Sequence, residues 1–255
     1  RWDRVGGSAT WMIKESDRLE DLPRLKKVDG KYWLVYHSYP STGYESGSAE
    51  IGMAWTEDEE LLDWHFPDKP DFSWRDGAEW EAGGLYKACI IRHEDTWYMF
   101  YNAKDSKERW TEQTGVATSR DLRQWTRHPG NPVLRVNRES WDKWFVSDPY
   151  IVRDGDLWLD FYFGYGKLYE DGHTHAQEGL ALSRDLFHWE KVEEPILSHG
   201  APGCIDSGHA HKASILYYKG VLYHFYCGTC PWREGLPTNV SGEYRGICLA
   251  TSRPL

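Results

Sequence analysis

The sequence predicts an all-β fold, a β-propeller whose blades are four-stranded antiparallel sheets around a central axis. Three observations support this prediction. One unit of strands and turns recurs four times, its markers keep a common period, and helical periodicity is nearly absent. A four-stranded unit repeated around an axis is a propeller blade, whereas the repeat of a stacked β-solenoid is much shorter.

Each unit contains an apolar strand that ends in an aromatic residue and Tyr, followed by a short run with Ala-x-Ser or Ala-x-Thr. The Tyr spacings are 65, 61 and 64 residues, and the Ala spacings are 63, 64 and 69. The markers are Tyr36, Tyr101, Tyr162 and Tyr226, with Ala54, Ala117, Ala181 and Ala250. We therefore expect one domain over residues 1–255, with units at about 20–69, 80–134, 141–197 and 207–255.

Two further features concern the ends and closing residues of the units. The fourth unit stops before the Asp-Leu-x-x-Trp run that closes earlier ones, so we expect residues 1–19 to complete the last blade through a strand near Ser8 to Lys14. The closing tryptophans recur at one repeat position, which is typical of blade packing. They are Trp64, Trp125 and Trp189. A fifth blade is expected beyond the four visible units.

Composition and charge exclude several function classes. The 255 residues include 40 acidic and 30 basic side chains, a net charge of −10, which disfavours nucleic acid as a partner. No apolar run approaches the roughly 18 residues of a membrane span, so no membrane partner is expected. Aromatic residues make up 15% of the chain and include 15 Trp, which favours a carbohydrate ligand. A secreted, a periplasmic and a cytoplasmic location all stay open, as does the oligomeric state.

Metal and cofactor motifs are nearly absent from the sequence. Cys227 and Cys230 form a lone C-x-x-C that lacks the second pair or the His spacing of a zinc site. We therefore expect no metal and no other cofactor.

Polar residues at the starts of the innermost strands are the candidates for chemistry, because these starts converge near the axis of a propeller. Asp148 precedes Pro149 at the start of the third unit, and Lys87 and Lys212 occupy equivalent places in two others. The remaining candidates are Asp21, Glu81, His209 and His211. Two tryptophans near blade starts, Trp80 and Trp144, are candidate platforms for a sugar ring, as is Trp141.

These strand-turn-Tyr and Ala-x-Ser-x-Asp-Leu-x-x-Trp units, with Asp148-Pro149 and Asp154-Gly155, resemble the five-bladed propeller glycoside hydrolases of families 43, 32, 117 and 130. The resemblance covers roughly residues 20–255 and implies a glycosidase with acidic groups around a central pocket. Asp148 matches the Asp-Pro motif whose carboxylate orients the catalytic acid. Pro23 stands where an early blade-start Asp is expected, with Asp21 two residues before it. His211 stands in the place of the Glu that often serves as the catalytic acid. This is similar to family 117, in which a His serves as the acid.

Glycoside hydrolysis needs a proton donor for the leaving oxygen and a base for water. We expect His211 to give the proton, Asp148 to orient it and Glu81 to act as the base. Substrate contacts are expected from Lys87 and Lys212, which suit a carboxylated sugar, and from His209, Asp21, Trp80 and Trp144. The predicted activity is exo-acting cleavage of plant or algal polysaccharide fragments. A family 130-like phosphorylase and a non-catalytic carbohydrate-binding propeller are the alternatives.

Overall fold

The computed structural model describes the chain except for Tyr44, residues 106–109, residues 238–241 and Leu255. Its regular structure is almost entirely strand, with two short 3₁₀ helices at Trp74–Asp76 and Glu79–Glu81. The strands are β1 (Gly7–Met12), β2 (Tyr32–Ser38), β3 (Glu50–Thr56), β4 (Gly84–His93), β5 (Thr96–Lys104), β6 (Glu112–Ser119), β7 (Thr126–Arg127), β8 (Phe145–Asp154), β9 (Leu157–Tyr165), β10 (Gln177–Ser183), β11 (Glu190–Lys191), β12 (His209–Tyr218), β13 (Val221–Pro231) and β14 (Glu243–Thr251).

The chain divides into two compact units. Unit 1 contains residues 1–17 and 23–135, and unit 2 contains residues 18–22 and 136–255. Within unit 1, β1–β2–β3 and β4–β5–β6–β7 pair antiparallel in chain order. Within unit 2, β8–β9–β10–β11 and β12–β13–β14 do the same. The predicted all-β, antiparallel fold is confirmed.

The N-terminal strand lies in the first sheet, so the expectation that it completes the last blade is wrong. Strand β1 pairs with β2, and Ala9 lies opposite Tyr36. The pairing has a packing reason, because Ile13 just after β1 is buried in the same apolar cluster as Trp33 and Val35. The first sheet therefore begins at Gly7, well before residue 20.

A stack of two aromatic rings and an acid recurs from sheet to sheet. Trp80 stacks on Tyr101 with ring centroids 6.0 Å apart, and the Tyr101 hydroxyl donates to Glu81 Oε1 at 2.5 Å. The same arrangement is made by Trp2, Asp3 and Tyr36, by Trp141, Asp142 and Tyr162, and, without the Trp, by Asp206 and Tyr226. This repetition identifies the stack as part of the framework of each sheet.

A glycine on the neighbouring strand leaves room for three of these stacks. Gly115 lies opposite Tyr101, and a Cβ built on it would lie 2.6 Å from the Tyr101 ring. Gly179 stands opposite Tyr162 in the same way, with 2.5 Å between such a Cβ and the ring. Gly52 stands opposite Tyr36 in the same way, with 2.7 Å between such a Cβ and the ring. No side chain fits at these distances, which explains the Gly-x-Ala pattern beside these three Tyr.

A β-bulge interrupts the first strand of three sheets at equivalent positions. The pairing register shifts just after Tyr86, Ser147 and His211. The next residues, Lys87, Asp148 and Lys212, have φ angles of 52°, 53° and 69°, in the left-handed region. The equivalence of these three residues, predicted from the sequence, is confirmed. Bulges re-aim side chains and are frequent beside active sites.

The closing tryptophans of the units are partly buried, as expected of packing residues. Trp125 packs against the apolar cluster of unit 1. The indole N–H groups of Trp64 and Trp189 donate to the carbonyl oxygens of Leu61 and Leu186. These contacts hold the last turn of each unit against its own sheet.

Replacing Glu81 by Gln should destabilise the protein while leaving catalysis intact. Glu81 is fully buried and accepts hydrogen bonds from Tyr101, Arg127 and the Ala78 N–H. Weakening charged hydrogen bonds of this kind costs about 1.5–3 kcal/mol, which thermal unfolding should show as a Tm lower by roughly 3–12 °C. The turnover rate, measured well below Tm, should stay within about twofold. A large loss of turnover with unchanged Tm would instead assign Glu81 to the chemistry.

Candidate functional site

Asp148 occupies the bulge of β8 in unit 2 and is half-buried. Its charge raises the pKa of His211 and that of Glu178, so both groups lie within its electrostatic range. Because Asp tolerates the left-handed backbone conformation better than most residues, the bulge can hold this carboxylate with modest strain. The structure thus brings Asp148 and His211 within electrostatic range of one another, although 63 positions separate them in the chain.

His211 lies just before the bulge of β12 and is 8% exposed. Its Nδ1 lies 3.0 Å from the Cys227 carbonyl oxygen, which can only accept, so Nδ1 carries a proton. Burial, together with the charge on Lys212, lowers the pKa of His211 to about 3. The neutral ring therefore presents Nε2 as an acceptor. This protonation state favours a proton acceptor at position 211 over the donor expected from the sequence.

Two further carboxyl groups lie in the same sheet as Asp148, on strands β9 and β10. Asp160 on β9 is 1% exposed and accepts a hydrogen bond from the Tyr150 N–H at 3.1 Å. Burial raises the pKa of Asp160 to about 7. Glu178 on β10 is fully buried, and burial together with the charges of Asp148 and Asp160 raises its pKa well above the usual range. Unit 2 thus holds carboxyl groups that retain protons near neutral pH.

Sequence reasoning missed Glu178, although a signal was present. Glu178 precedes the stack glycine Gly179, and the equivalent positions in unit 1 are occupied by Ile51 and Thr114. Glu178 therefore places a carboxyl group where the equivalent positions carry an apolar side chain or a hydroxyl group. Aligning the units on the glycine would therefore have singled it out.

A cavity of about 660 Å³ opens in unit 2 beside His209. His209 accepts a hydrogen bond from the Ala176 N–H at Nδ1, and burial lowers its pKa to about 4, so its neutral ring keeps a proton on Nε2. Polar and aromatic groups on the cavity wall include Tyr165, Thr174, His175, Trp232 and Glu243. The mixture of an exposed indole with hydrogen-bonding groups suits a sugar ring.

The His175 side chain is held at this wall from both sides. Its Nε2 lies 2.8 Å from an Asp171 carboxylate oxygen and its Nδ1 lies 2.5 Å from the Gly208 carbonyl oxygen. The His199 ring stacks on it at 3.9 Å between centroids. These contacts fix the shape of this part of the cavity. The sequence repeat does not predict these contacts, because the residues that make them lie in loops outside the repeated markers.

The other predicted residues are placed less favourably for chemistry. Asp21 is exposed in a turn, and Lys212 lies on the β12 bulge next to His211. Lys87 lies on the β4 bulge of unit 1, where its backbone N–H donates to His37 Nδ1 at 3.4 Å. Trp144 is half-buried with its ring 5.8 Å from that of Tyr165, which lines the cavity.

Three predicted residues belong to the framework stacks. Trp80 and Trp141 stack on Tyr101 and Tyr162, so one face of each indole is covered. Trp141 is 6% exposed and offers no open face, whereas Trp80 is half-buried. Glu81 is fully buried in unit 1, where Tyr101 and Arg127 bind its carboxylate. These contacts favour a structural role for Glu81 over the expected role of base, because a base must reach the attacking water.

The described residues contain neither a group of metal ligands nor a membrane-spanning helix. No three His, Cys, Asp or Glu side chains in that part of the chain lie close enough together to hold a metal ion. Cys227 and Cys230 lie on β13 and form no disulfide bond. None of the helices in the same part of the chain is long and apolar enough to cross a membrane.

Comparison with known proteins gives structural relatives. No family model and no curated protein matches the sequence. A structure of BT0996 in an RGII complex is similar at a TM-score of 0.81 and 28% identity, and the match covers 100% of this protein and 72% of that one. A structure described as a glycoside hydrolase is similar at 0.81 and 27%, with the same coverage.

More distant similarities show the fold alone. A family 32 β-fructofuranosidase from Bombyx mori gives a TM-score of 0.66 at 20% identity, covering 94% of this chain and 46% of that one. A member of the family 130 mannoside phosphorylases and hydrolases gives 0.61 at 17%, covering 80% and 58%. Together these findings place the chain in the propeller glycoside hydrolase superfamily. The protein is a glycoside hydrolase.

Proposed function

We propose that the protein removes sugars from the ends of plant or algal polysaccharide fragments and that its catalytic centre lies in unit 2 around Asp148 and His211. One observation carries the assignment. The β8 bulge holds Asp148 within electrostatic range of a neutral His211 and of the buried carboxyl group of Glu178. Groups whose surroundings push their pKa values apart are the usual acid and base of an enzyme. Within this proposal, residues 1–255 are one catalytic domain and their sheets are blades of a five-bladed propeller.

The proposed roles follow from the neutral ring of His211, which leaves the nearby Asp148 as the proton donor. Asp148 gives a proton to the leaving oxygen as the glycosidic C–O bond breaks. His211 takes a proton from water through Nε2 while the water oxygen bonds to the anomeric carbon. The nearby Asp148 carboxylate then stabilises the imidazolium, which returns its proton to Asp148 through solvent. One water is consumed and both groups end as they began. The expected donor and acceptor are thereby exchanged, because burial keeps His211 neutral.

The cavity supports binding of a short chain end beside the proposed centre. It is lined by His209, two residues before His211 on β12, and by neither Asp148 nor His211. Its volume of about 660 Å³ lies in the range of small-ligand sites and suits a few sugar units at most. His209 offers an Nε2–H donor, and Glu243 and Thr174 add groups that can bind sugar hydroxyls. The likeness to a protein in an RGII complex supports RGII-derived oligosaccharides as the first substrates to test.

Replacing Trp232 by Ala should weaken substrate binding more than turnover. Trp232 is 40% exposed on the cavity wall, where its ring can stack on a sugar face. Ring contacts of this kind contribute about 0.5–1.5 kcal/mol, so KM should rise by roughly two- to tenfold with kcat nearly unchanged. The matched variant Trp232→Phe keeps a ring and should recover most of the affinity. Equal KM values for all three proteins would remove Trp232 from the site.

The proposed function is tested by a panel of aryl glycosides and of RGII-derived, other pectic and algal oligosaccharides. Release of single sugars from chain ends, with no internal fragments, supports exo-action. The same reactions with and without phosphate distinguish the alternatives, since a phosphorylase forms a sugar phosphate only when phosphate is added. Binding without turnover on every substrate that binds would instead favour a carbohydrate-binding protein.

A further inference from the structure

We propose that Glu178 is a positioning residue that shares one proton with Asp148, so that this pair can supply a proton at neutral pH. The inference rests on the proposed function, because it assigns Asp148 as the group that gives the proton to the leaving oxygen. It adds a residue that lies behind the reacting groups and has no contact with substrate.

The first argument is the surroundings of the Glu178 carboxyl group. The side chain is fully buried, and the described residues provide no hydrogen-bond partner for either oxygen. Burying an unpartnered carboxyl group costs free energy, and native proteins keep such groups rarely. Asp142 in the same unit shows the structural alternative, since it is equally buried but binds Tyr162 and Lys191.

The second argument is position. Glu178 lies opposite Phe163 of β9, and the Phe163 ring contacts His211 edge-on at 5.4 Å between centroids. Strand β12, which carries His211, packs against both β9 and β10. Glu178 therefore lies in the layer behind the proposed site, where unit 1 has Ile51 and Thr114. Among these equivalent positions, the carboxyl group occurs beside the proposed catalytic centre, which is consistent with a role in catalysis.

The third argument is the set of charges around Glu178. Asp160 lies on the adjacent strand β9. Asp148 lies on β8, the strand beyond β9, next to Ser147, which is opposite the same Phe163 that Glu178 faces. The charges of both carboxylates act on Glu178. The titratable groups of the facing strands β12 and β13 include His211, Lys212 and His224, and burial keeps both histidines neutral by lowering their pKa values to about 3 and 4. Two carboxyl groups within range of one another resist double ionisation, so one proton is retained.

The proton count of the pair is simple. In the resting site Asp148 and Glu178 hold one proton between them. When the proton lies on Asp148, it can pass to the leaving oxygen as the glycosidic bond breaks. The pair then carries two negative charges until the proton that His211 took from water returns through solvent. Glu178 forms no bond to the sugar and is unchanged after each turnover.

The test compares the wild-type enzyme with Glu178→Gln, which keeps the shape and cannot ionise. Without the second carboxyl group Asp148 should lose its proton at a lower pH. The alkaline limb of the kcat/KM–pH profile should therefore move down by at least about one pH unit, a tenfold loss on that limb. Glu178→Thr, which installs the residue found at the equivalent Thr114, should move the limb in the same direction.

Stability gives a second, independent measurement. A raised folded-state pKa means that the unfolded chain releases the Glu178 proton first, so wild-type stability falls as pH rises through the unfolded value of about 4.3. Glu178→Gln should remove this penalty. Its Tm should exceed that of the wild type at pH 8, and the gain should vanish near pH 4. The control Asp142→Asn should lower Tm at pH 8 and leave the alkaline limb in place.

Each outcome decides between the two claims. A shifted limb together with a higher Tm supports the shared proton. An unmoved limb in both Glu178 variants, or a Tm that falls at pH 8, overturns it. Asp148→Asn is assayed beside them. If that variant stays active the proposed function fails, whereas an inactive Asp148→Asn with an unmoved limb in Glu178→Gln rejects this inference alone.

Discussion

Asp148→Asn should lower kcat by about 10²- to 10⁴-fold, the usual loss when an acid–base group is removed. The amide cannot give a proton to a leaving oxygen. The loss should shrink on aryl glycosides with good leaving groups, because those need little protonation. Steady-state rates on two aryl glycosides of different leaving-group pKa, together with a natural oligosaccharide, measure both effects.

Folding of this variant should be nearly unaffected. Asp148 has a φ of 53°, and Asn is among the few residues other than Gly that tolerate such a backbone. The matched control is Asp154→Asn, which changes an exposed carboxylate at the end of the same strand. Near-native rates for Asp148→Asn, or equal losses in both variants, would exclude Asp148 as the proton donor.

His211→Ala should lower kcat by a similar factor, about 10²- to 10⁴-fold, because Nε2 takes the proton from water. Unlike the loss in Asp148→Asn, the loss in this variant should not depend on the leaving group. A group that acts on water is needed whatever the leaving group, so the loss should be the same on good and poor aryl glycosides. Small anionic nucleophiles such as azide or formate should restore part of the rate to this variant.

The control separates this effect from a loss of structure. His211 contacts Phe163 and donates to the Cys227 carbonyl, so rates are compared well below the measured Tm and repeated with His211→Gln. His188→Ala alters a histidine whose side chain is 90% exposed and should change nothing. A loss on poor leaving groups only would return His211 to the role of proton donor that the sequence suggested.

The strand framework was predictable because its markers repeat. Tyr101 and Tyr162 pack against Gly115 and Gly179 in the same register. Because the packing is the same, both sheets need a Tyr and a Gly at the same spacing in the sequence. Strand β1 was assigned to the wrong sheet, because it carries none of those markers. Its pairing with β2 depends on apolar contacts between residues distant in the chain.

The site was predictable only where it coincides with the repeat. Asp148 was selected as a candidate because it precedes Pro149 at a blade start, in the place that Lys87 and Lys212 occupy in their units. Glu81 was selected as an acid that precedes an innermost strand, although Trp80-Glu81 repeats Trp2-Asp3 and Trp141-Asp142. The protonation of His211 was not predictable, because its burial arises from the packing of β12 against strands distant in sequence.

The β-bulge that strands β4, β8 and β12 share affects how this protein can evolve. Its backbone is set by strand pairing on either side, and it carries Lys at two places and Asp at a third. A substitution there alters the charge of the bulge without moving the strands, and its stability cost is confined to one residue's backbone preference. A single-codon change at Lys212, next to His211, is therefore a short evolutionary path to a different charge beside the proposed catalytic centre on the same scaffold.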